Sequence, residues 1–466
     1  MRYLEHVADR FDLRSSYSFE TRVTSAVWDE QNGWWTVGTD TGESVTARFI
    51  VSAAGGLSAT KDDDFKGAES FGGELYRTSN WPQRPVDLAG KRVGIVGTGS
   101  SGVQVIGAIA KDVGSLTVFQ RTANFATPLG NGPMDEAELD EVIANYPRYR
   151  EQCRNNFLGA PYPPAQPSAL AASWQERREL YDRYYRGGFR LLMPTYADLL
   201  FSKEANDTLA DYIRDRIRDR VADPEVAELQ CPNDHAYATK RSLFETNYYE
   251  AFNEDHVELV DVRSNPILEI TPTGVRTTAA DYEFDVIILA TGFDAWSGSL
   301  QRLGLVGRGG VRLEDYWAEG SRTYLGIAVP NFPKVFALTG PQSATPLYNN
   351  PLAIEDHVDF AADLIQRMVD TGAGAFEATE EATRTYMALS NGIADLLGRP
   401  AARLSRRVGA GFHCPGRVVL SSGWWEVAGQ PGVGRSASRS RTAVISLVQG
   451  QCRARRRILR RPVVTS

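Results

Sequence analysis

Cysteine and histidine are scarce in this chain, which limits the metal and redox chemistry that it can support. The four cysteines lie far apart and form no C-x-x-C pair, so a dithiol redox centre is excluded. The five histidines show no paired spacing, and we therefore predict no metal site. The cysteines are Cys153, Cys231, Cys414 and Cys452.

Long apolar runs and an excess of positive charge are also missing. No run approaches the roughly 20 apolar residues that a membrane-spanning helix needs, and the first residues lack a signal-peptide core. The net charge of -7 argues against nucleic acid as the main partner. We therefore expect a cytoplasmic protein without nucleic-acid or membrane partners. Its 466 residues are enough for two or three domains with sizeable cores.

A glycine-rich turn between a strand and a helix is the clearest functional signal. The apolar residues Val93, Ile95 and Val96 precede a G-x-G-x-x-G at residues 97–102, which opens a helix. Such a turn brings backbone N–H groups at the helix start close to a diphosphate. We therefore predict dinucleotide binding. The candidate ligands are Gly97, Thr98, Gly99, Ser100, Ser101, Gly102 and Gln104.

The end of the next strand indicates which dinucleotide binds. Residues 115–119 lead into Gln120, Arg121 and Thr122, where an NAD-binding unit usually carries an acidic residue for the ribose 2′-hydroxyl. The forked guanidinium of Arg121 suits a phosphate instead. We therefore predict NADPH rather than NADH, with Arg121 and Thr122 as ligands. A solvated arginine at a strand end is the alternative.

The stretch before the glycine turn carries a second signature, F-x-G-x-x-x-R-x-x-x-W-P, from Phe71 to Pro82. It resembles the fingerprint of the Baeyer–Villiger monooxygenases, F-x-G-x-x-x-H-x-x-x-W-P, with Arg77 in place of the histidine. The resemblance extends over residues 1–397. It implies a flavoprotein monooxygenase that uses FAD, NADPH and O2, acts on a ketone-type substrate and forms an ester or lactone.

The block from Lys240 to Asn253 also resembles this family, with K-R followed by Y-Y and an asparagine. The resemblance implies that Lys240 helps to hold the 2′-phosphate of NADPH and that Arg241 is the catalytic arginine. A permanently charged guanidinium would favour the anionic oxygen nucleophile that attacks a ketone. A surface Lys-Arg pair in a loop is the alternative.

Three further strand ends carry the glycines that the resemblance assigns to cofactor binding. The apolar run 285–290 ends in A-T-G-F-D, which suits a parallel sheet with a nucleotide at its tip. The residues 53–55, A-A-G, follow another apolar strand, and the alternative for them is an ordinary end of a strand without a cofactor role. We predict that His357, further on, lies on a helix surface. The candidate ligands are Gly55, Ala290, Thr291, Gly292, Phe293, Asp294, Gly340 and Pro341.

The resemblance implies an α/β fold with two dinucleotide-binding, Rossmann-like units. Residues 1–82 would be a remnant of the FAD-binding domain, and 83–262 the inserted NADP-binding domain with a helical subdomain at about 130–230. Residues 263–400 would return to the FAD-binding domain. The family's first G-x-G-x-x-G, which holds the FAD diphosphate, has no counterpart here, so the first FAD-binding βαβ unit is missing.

We expect from this difference that the chain is incomplete and binds FAD weakly. A natural remnant that binds NADP without flavin chemistry is the alternative. Arg77 in place of the fingerprint histidine also leaves oxygenation of nitrogen or sulfur open as a second reaction. The sequence leaves the individual substrate and the oligomeric state undetermined.

The residues from 401 onward differ in composition from the rest. Between Arg403 and Ser466 there are thirteen arginines, no lysine and one acidic residue, Glu426. Arginine, glycine and serine without periodicity suggest translation in a shifted reading frame, and a basic arm for nucleic acid or membrane is the alternative. We predict that residues 425–466 are poorly ordered.

Overall fold

The computed structural model describes residues 2–61, 65–156, 158–187, 191–192, 194–343, 348–396 and 425–428. The helices are α1 (Arg2–Arg10), α2 (Ser100–Ile109), α3 (Glu136–Ala144), α4 (Tyr146–Arg154), α5 (Trp174–Tyr184), α6 (Lys203–Arg220), α7 (Pro224–Gln230), α8 (Gly298–Gln301), α9 (Leu313–Tyr316), α10 (Asn350–Thr371) and α11 (Glu380–Leu396). The strands are β1 (Val23–Asp29), β2 (Trp34–Thr39), β3 (Ser44–Ala47), β4 (Ile50–Ser52), β5 (Glu74–Arg77), β6 (Arg92–Val96), β7 (Ser115–Gln120), β8 (Ala126–Pro128), β9 (Leu243–Glu245), β10 (Val257–Asp261), β11 (Ile267–Thr271), β12 (Gly274–Thr277), β13 (Asp281–Glu283), β14 (Val286–Leu289), β15 (Leu305–Val306), β16 (Val335–Ala337), β17 (Ala375–Ala378) and β18 (Trp425–Ala428).

A five-stranded parallel sheet occupies the centre of the fold, in the order β10-β7-β6-β14-β5. The inner strands β6 and β14 are rich in valine and isoleucine, and all four residues of β14 are buried. Such continuous apolar runs are typical of parallel strands, because both faces of the sheet are covered. The carboxyl ends of all five strands consequently lie along one edge.

Helices cover one face of this sheet. The segment of about 130–230, for which a helical subdomain is predicted, contains α3, α5 and α6. Along α6, Leu209, Ile213 and Ile217 form a buried stripe at helical spacing and belong to the same core as the strands. Ser173 and Glu176 form a reciprocal cap at the start of α5.

A second group of strands lies outside the large sheet. β1, β2, β3 and β15 form one sheet, and β4 pairs in parallel with β16. Buried Trp35 on β2 donates from its indole Nε1 to the carbonyl of Pro333 at 2.9 Å, which ties this sheet to the start of β16. The carboxyl ends of β4 and β16 are therefore held side by side, with Ser52 opposite Ala337.

The large sheet extends beyond both ends of the predicted 83–262 segment. β5 ends at Arg77 and β14 begins at Val286, yet the two strands pair with each other in this sheet. Parallel neighbours are joined through crossover connections, so adjacency in the sheet does not follow adjacency in the sequence. The division into domains remains a prediction.

The prediction that His357 lies on a helix surface is wrong. Its side chain is 3% exposed, and its Nδ1 accepts a hydrogen bond from the backbone N–H of Thr339 at 2.9 Å. α10 packs this face against the loop after β16, so the residue is part of the interior. Periodicity alone did not indicate which face of α10 is covered.

Four residues of the carboxyl-terminal segment are described. Residues 425–428 form β18, which pairs antiparallel with β17. The expectation of poor order for residues 425–466 remains a prediction. The remainder of the predicted 401–466 tail lies outside the described residues. Within the described helices, none is long and apolar enough to cross a membrane.

Candidate functional site

The predicted nucleotide ligands lie along one end of the large sheet. We call this end, formed by the residues that directly follow β10, β7, β6, β14 and β5, the carboxyl edge. Gly97 N donates to Phe119 O at 3.0 Å, and Ala290 N donates to Val96 O at 2.8 Å. Arg77 ends β5 opposite Leu289, so the fingerprint position also reaches this edge. Ligands commonly bind at this end of an open α/β sheet.

The three motif glycines have different structural surroundings. Gly97 has a φ of 106°, and a Cβ on Gly102 would lie 2.0 Å from the carbonyl oxygen of Gly97. Both positions therefore require glycine for the fold itself. A Cβ on Gly99 would have no neighbour within 4 Å, so the space beside Gly99 is open.

The helix after this turn presents an uncapped amino end. α2 begins at Ser100, and its N-cap residue Gly99 provides no side-chain hydrogen bond. The first N–H groups of the helix consequently remain available to an anion. Thr98 is buried and donates to the carbonyl of Thr122 at 3.3 Å, whereas Gln104 is exposed. Thr98 thus joins the turn to the end of β7.

Basic side chains gather at the β7 and β10 end of the carboxyl edge. Arg121 is exposed there, and Lys240 Nζ lies 3.7 Å from Asp234 Oδ1. Arg263 Nη2 lies 3.4 Å from both Asp234 Oδ2 and Thr122 Oγ1. We call Arg121, Lys240 and Arg263 the basic cluster.

Asp234 and His235 are the titratable residues that contact the basic cluster. His235 Nδ1 lies 2.5 Å from Asp234 Oδ1. Burial opposes ionisation of Asp234, but the hydrogen bond from His235 and the charges of Lys240 and Arg263 outweigh it, so the pKa of this carboxyl group is lowered. Burial also lowers the pKa of His235, although the bond to Asp234 acts in the opposite direction.

Asp234, His235 and Arg263 were not among the site residues predicted from the sequence. Arg263 could have been found by the same rule that indicated Arg121, because both follow the ends of parallel strands. Asp234 and His235 lie in a loop with no recognised motif. Their proximity to the basic cluster depends on how the helical segment folds back on the sheet.

Arg241 is placed near the carboxyl edge by its backbone. Its carbonyl accepts a hydrogen bond from Asn124 Nδ2 at 3.4 Å, and its side chain is exposed. Within the described part of the chain, its guanidinium makes no hydrogen bond or ion pair. The structure therefore places Lys240 beside Asp234 in the basic cluster and leaves the neighbouring Arg241 side chain exposed.

A second candidate site lies at the carboxyl ends of β4 and β16. It is lined by residues that include Ser52, Gly55, Trp296, Leu338 and Gly340, and we call it the β4–β16 cleft. Gly55 has a φ of 77° and accepts a 2.7 Å hydrogen bond from Ser299. None of the described lining residues is charged, and the polar groups of the cleft are backbone groups and neutral side chains such as those of Ser52, Ser299 and Thr339.

A buried hydrogen-bond network fixes the loop that carries Gly340 and Pro341. Thr323 Oγ1 lies 2.9 Å from both Pro341 O and Gln342 Oε1, so its single O–H can donate to either, and the Tyr386 hydroxyl donates to Gln342 O at 2.6 Å. Thr339 has a φ of 50°, which the surrounding contacts must hold in place. The backbone of this loop is thereby presented to the cleft in one conformation.

The segment 290–296 connects the two sites. It begins at Ala290 beside Gly97, passes Gly292 with a φ of 94°, and reaches Trp296 in the cleft. Asp294 N donates to Ala59 O at 3.0 Å, and Phe293 forms a bridge with Thr60. The predicted A-T-G-F-D ligands consequently lie between the carboxyl edge and the β4–β16 cleft.

Comparison with known proteins relates this geometry to a family. No family model matches the chain. A Baeyer–Villiger monooxygenase of Pseudooceanicola batsensis is 42% identical over 405 residues, which are 86% of this chain and 73% of that protein. Cyclohexanone 1,2-monooxygenase of Acinetobacter sp is 40% identical over 86% of this chain and 74% of its own.

The solved structures agree with the sequence relatives. A crystal structure of OTEMO in complex with FAD and NADP matches with a TM-score of 0.82 and 42% identity, covering 85% of this chain and 76% of that chain. The predicted Rossmann-like α/β flavoprotein fold is confirmed by this match. Fold and sites together define a flavin-dependent oxidoreductase of the monooxygenase class. The chain belongs to the Baeyer–Villiger monooxygenase family.

Proposed function

We propose that this chain uses NADPH, FAD and O2 to convert a ketone to an ester or lactone. The balanced reaction consumes one ketone, O2, NADPH and a proton, and yields the ester, water and NADP⁺. The observation that carries the proposal is the segment 290–296, which connects a nucleotide-binding edge to a glycine-lined cleft. A connection this short keeps the two sites close, so that a bound NADPH could donate its hydride directly to a bound flavin.

NADPH would bind along the carboxyl edge. The open space at Gly99 and the free N–H groups at the start of α2 suit its diphosphate. Arg121 and Lys240 would bind the 2′-phosphate, because both are basic. Arg121 directly follows β7, and Lys240 lies beside Asp234. These residues would also select NADPH over NADH.

FAD would place its ring system in the β4–β16 cleft. Bound FAD supplies the carrier that accepts a hydride and reacts with O2. Backbone groups of Gly55 and Gly340 line this cleft and could hydrogen-bond to a flat polar ring, whereas the missing side chain of Gly340 serves close packing against Gly326 O. The described lining offers no cation to the diphosphate of FAD, so the cleft would take only the ring portion of the cofactor.

Arg241 would supply the positive charge that the cleft lacks. Its guanidinium makes no hydrogen bond or ion pair within the described residues, and it adjoins Lys240 of the basic cluster. A fixed positive charge would keep an attacking oxygen nucleophile ionised and would hold the substrate carbonyl in place. This role makes Arg241 the catalytic residue of the proposal.

A cytoplasmic location is part of the same proposal. Cys153 and Cys231 are buried free thiols, which suits a reducing cytoplasm. The substrate would be a small ketone.

Product analysis tests the proposed function directly. The protein, supplied with FAD, NADPH and cyclohexanone under air, should form lactone in proportion to the NADPH consumed. A thioether and a tertiary amine serve as comparison substrates. Oxidation of these heteroatoms without any lactone from a panel of ketones would contradict the ketone assignment.

A further inference from the structure

Arg263 lies beside Thr122 because of the register between two parallel strands. Asp261 on β10 lies opposite Gln120 on β7, and Val262 N donates to Gln120 O at 2.9 Å. The residues that follow these strands therefore leave the sheet at the same level. This register places Arg263 Nη2 3.4 Å from Thr122 Oγ1, next to Arg121 in the chain.

A local turn orients Arg263. Its backbone N–H donates to Asp261 Oδ1 at 2.9 Å, and the hydroxyl of Ser264 donates to the same carboxylate at 2.8 Å. The Arg263 side chain remains 60% exposed, so a dissolved ligand can reach its guanidinium.

Asp234 joins two members of the basic cluster. Its Oδ1 lies 3.7 Å from Lys240 Nζ, and its Oδ2 lies 3.4 Å from Arg263 Nη2. His235 contacts the same carboxylate and fixes its position from the buried side. One carboxylate therefore holds two separated cations at the place where a phosphate would bind.

The charges of this arrangement suit an exchange of anions. A phosphate monoester carries a charge of about -1.5 to -2 near neutral pH and offers three acceptor oxygens, whereas Asp234 carries a single negative charge. A phosphate that reaches Lys240 and Arg263 would therefore replace Asp234 as their main partner. The carboxylate would remain nearby and would repel the bound phosphate.

We propose that Arg263 is a further residue that determines coenzyme specificity, and that Asp234 is the counterion which the 2′-phosphate displaces. The inference rests on the proposed use of NADPH. It adds a third cation to Arg121 and Lys240, and it gives Asp234 a defined effect on affinity.

The first experiment measures binding of 2′,5′-ADP and 5′-AMP by calorimetry at low salt. Arg263→Gln should weaken 2′,5′-ADP about 5- to 20-fold and leave 5′-AMP unchanged, since the lost contact is charge-assisted but partly exposed. Arg263→Lys should retain part of the affinity, because it keeps the charge without the planar fork.

Arg276→Gln is the matched control. Like Arg263, Arg276 is an arginine with a largely accessible side chain that pairs with carboxylates. Its partners are Glu269 on β11 and Asp281 on β13. Its replacement should change neither affinity. An equal loss of 2′,5′-ADP binding in Arg263→Gln and Arg276→Gln would show only a general charge effect and would overturn the inference.

The second experiment replaces Asp234 with asparagine, which keeps the shape of the side chain and can still accept from His235. This variant should bind 2′,5′-ADP about 2- to 5-fold more tightly, because the repulsive charge is gone, while 5′-AMP stays unchanged. Weaker binding of 5′-AMP would instead identify Asp234 as a ligand of the ribose hydroxyl, and would contradict its role as a displaced counterion.

Two outcomes separate this inference from the function on which it rests. Equal affinity of the unmodified protein for 2′,5′-ADP and 5′-AMP would overturn the proposed coenzyme preference, and this inference with it. If Arg121→Ala and Lys240→Ala lose the preference but Arg263→Gln keeps it, only the role of Arg263 is wrong.

Discussion

The carboxyl edge and the β4–β16 cleft both rest on glycine turns at the ends of parallel strands, yet they differ in charge. The edge carries Arg121, Lys240 and Arg263 around Asp234. Among the residues that the structure describes, none of those lining the cleft is charged, and its loop is fixed by buried neutral groups such as Thr323 and its partners. Backbone geometry is common to both sites, whereas side-chain charge distinguishes them.

Under the proposed function, this difference would separate the tasks of recognition and reaction. The cations of the edge would bind the phosphate through charge-assisted hydrogen bonds. The fixed backbone of the cleft would hold the flat ring at which the reaction takes place. Any positive charge that the reaction needs in the cleft must therefore come from another part of the chain.

The largest expected effect concerns that charge. Arg241→Ala should lower ester formation by about 10²–10³-fold in the FAD-supplied protein, since one stabilising charge is lost from the reacting centre. NADPH oxidation should continue and release hydrogen peroxide. Ester and peroxide are measured together against NADPH consumed. Near-parental ester formation would show that the cleft does not depend on Arg241.

A pair of glycine substitutions should separate fold from ligand binding at the edge. Gly102→Ala places a Cβ 2.0 Å from Gly97 O and should cost about 1–3 kcal/mol of unfolding free energy. Gly99→Ala meets no protein atom within 4 Å, so it should leave the unfolding free energy nearly unchanged and weaken only 2′,5′-ADP binding. Urea unfolding and calorimetry measure the two effects. Equal destabilisation by both variants would contradict this separation.

Arg121→Ala tests whether charge at the edge selects the coenzyme. NADPH binding should weaken about tenfold while NADH binding stays nearly constant, because only NADPH carries the 2′-phosphate. The loss should shrink at high salt, since Arg121 is exposed. Fluorescence titration of both coenzymes at two salt concentrations checks this. Parallel losses for NADPH and NADH would assign Arg121 a structural role.

The smallest expected effect is a pH dependence of the unfolding free energy that comes from His235 at the edge. Burial lowers the pKa of His235 below its ordinary value of 6.5, so the unfolded chain binds a proton at higher pH than the folded protein does. Stability from this residue is therefore present above pH 6.5 and is lost as the pH falls through that value. Urea midpoints of the parent and His235→Asn, measured at about pH 7.5 and 5.5, should show a smaller acid loss in the variant.

Local sequence predicted those features that depend on a few consecutive residues. The spacing of glycines at 97–102 indicated the turn, because backbone conformation and the helix start are local properties. The same logic placed Arg121 at the end of β7 and the A-T-G-F-D segment at the end of β14. Family resemblance, carried by separated motifs, indicated the fold that the solved relatives confirm.

The tertiary structure decided which distant segments meet. Strand register brought Arg263 to Thr122, and the packing of the loop after α7 against the sheet brought Asp234 to Arg263. His357 was buried because α10 packs over the loop after β16. These contacts depend on how whole elements are ordered and packed, which the spacing of residues along the chain does not specify.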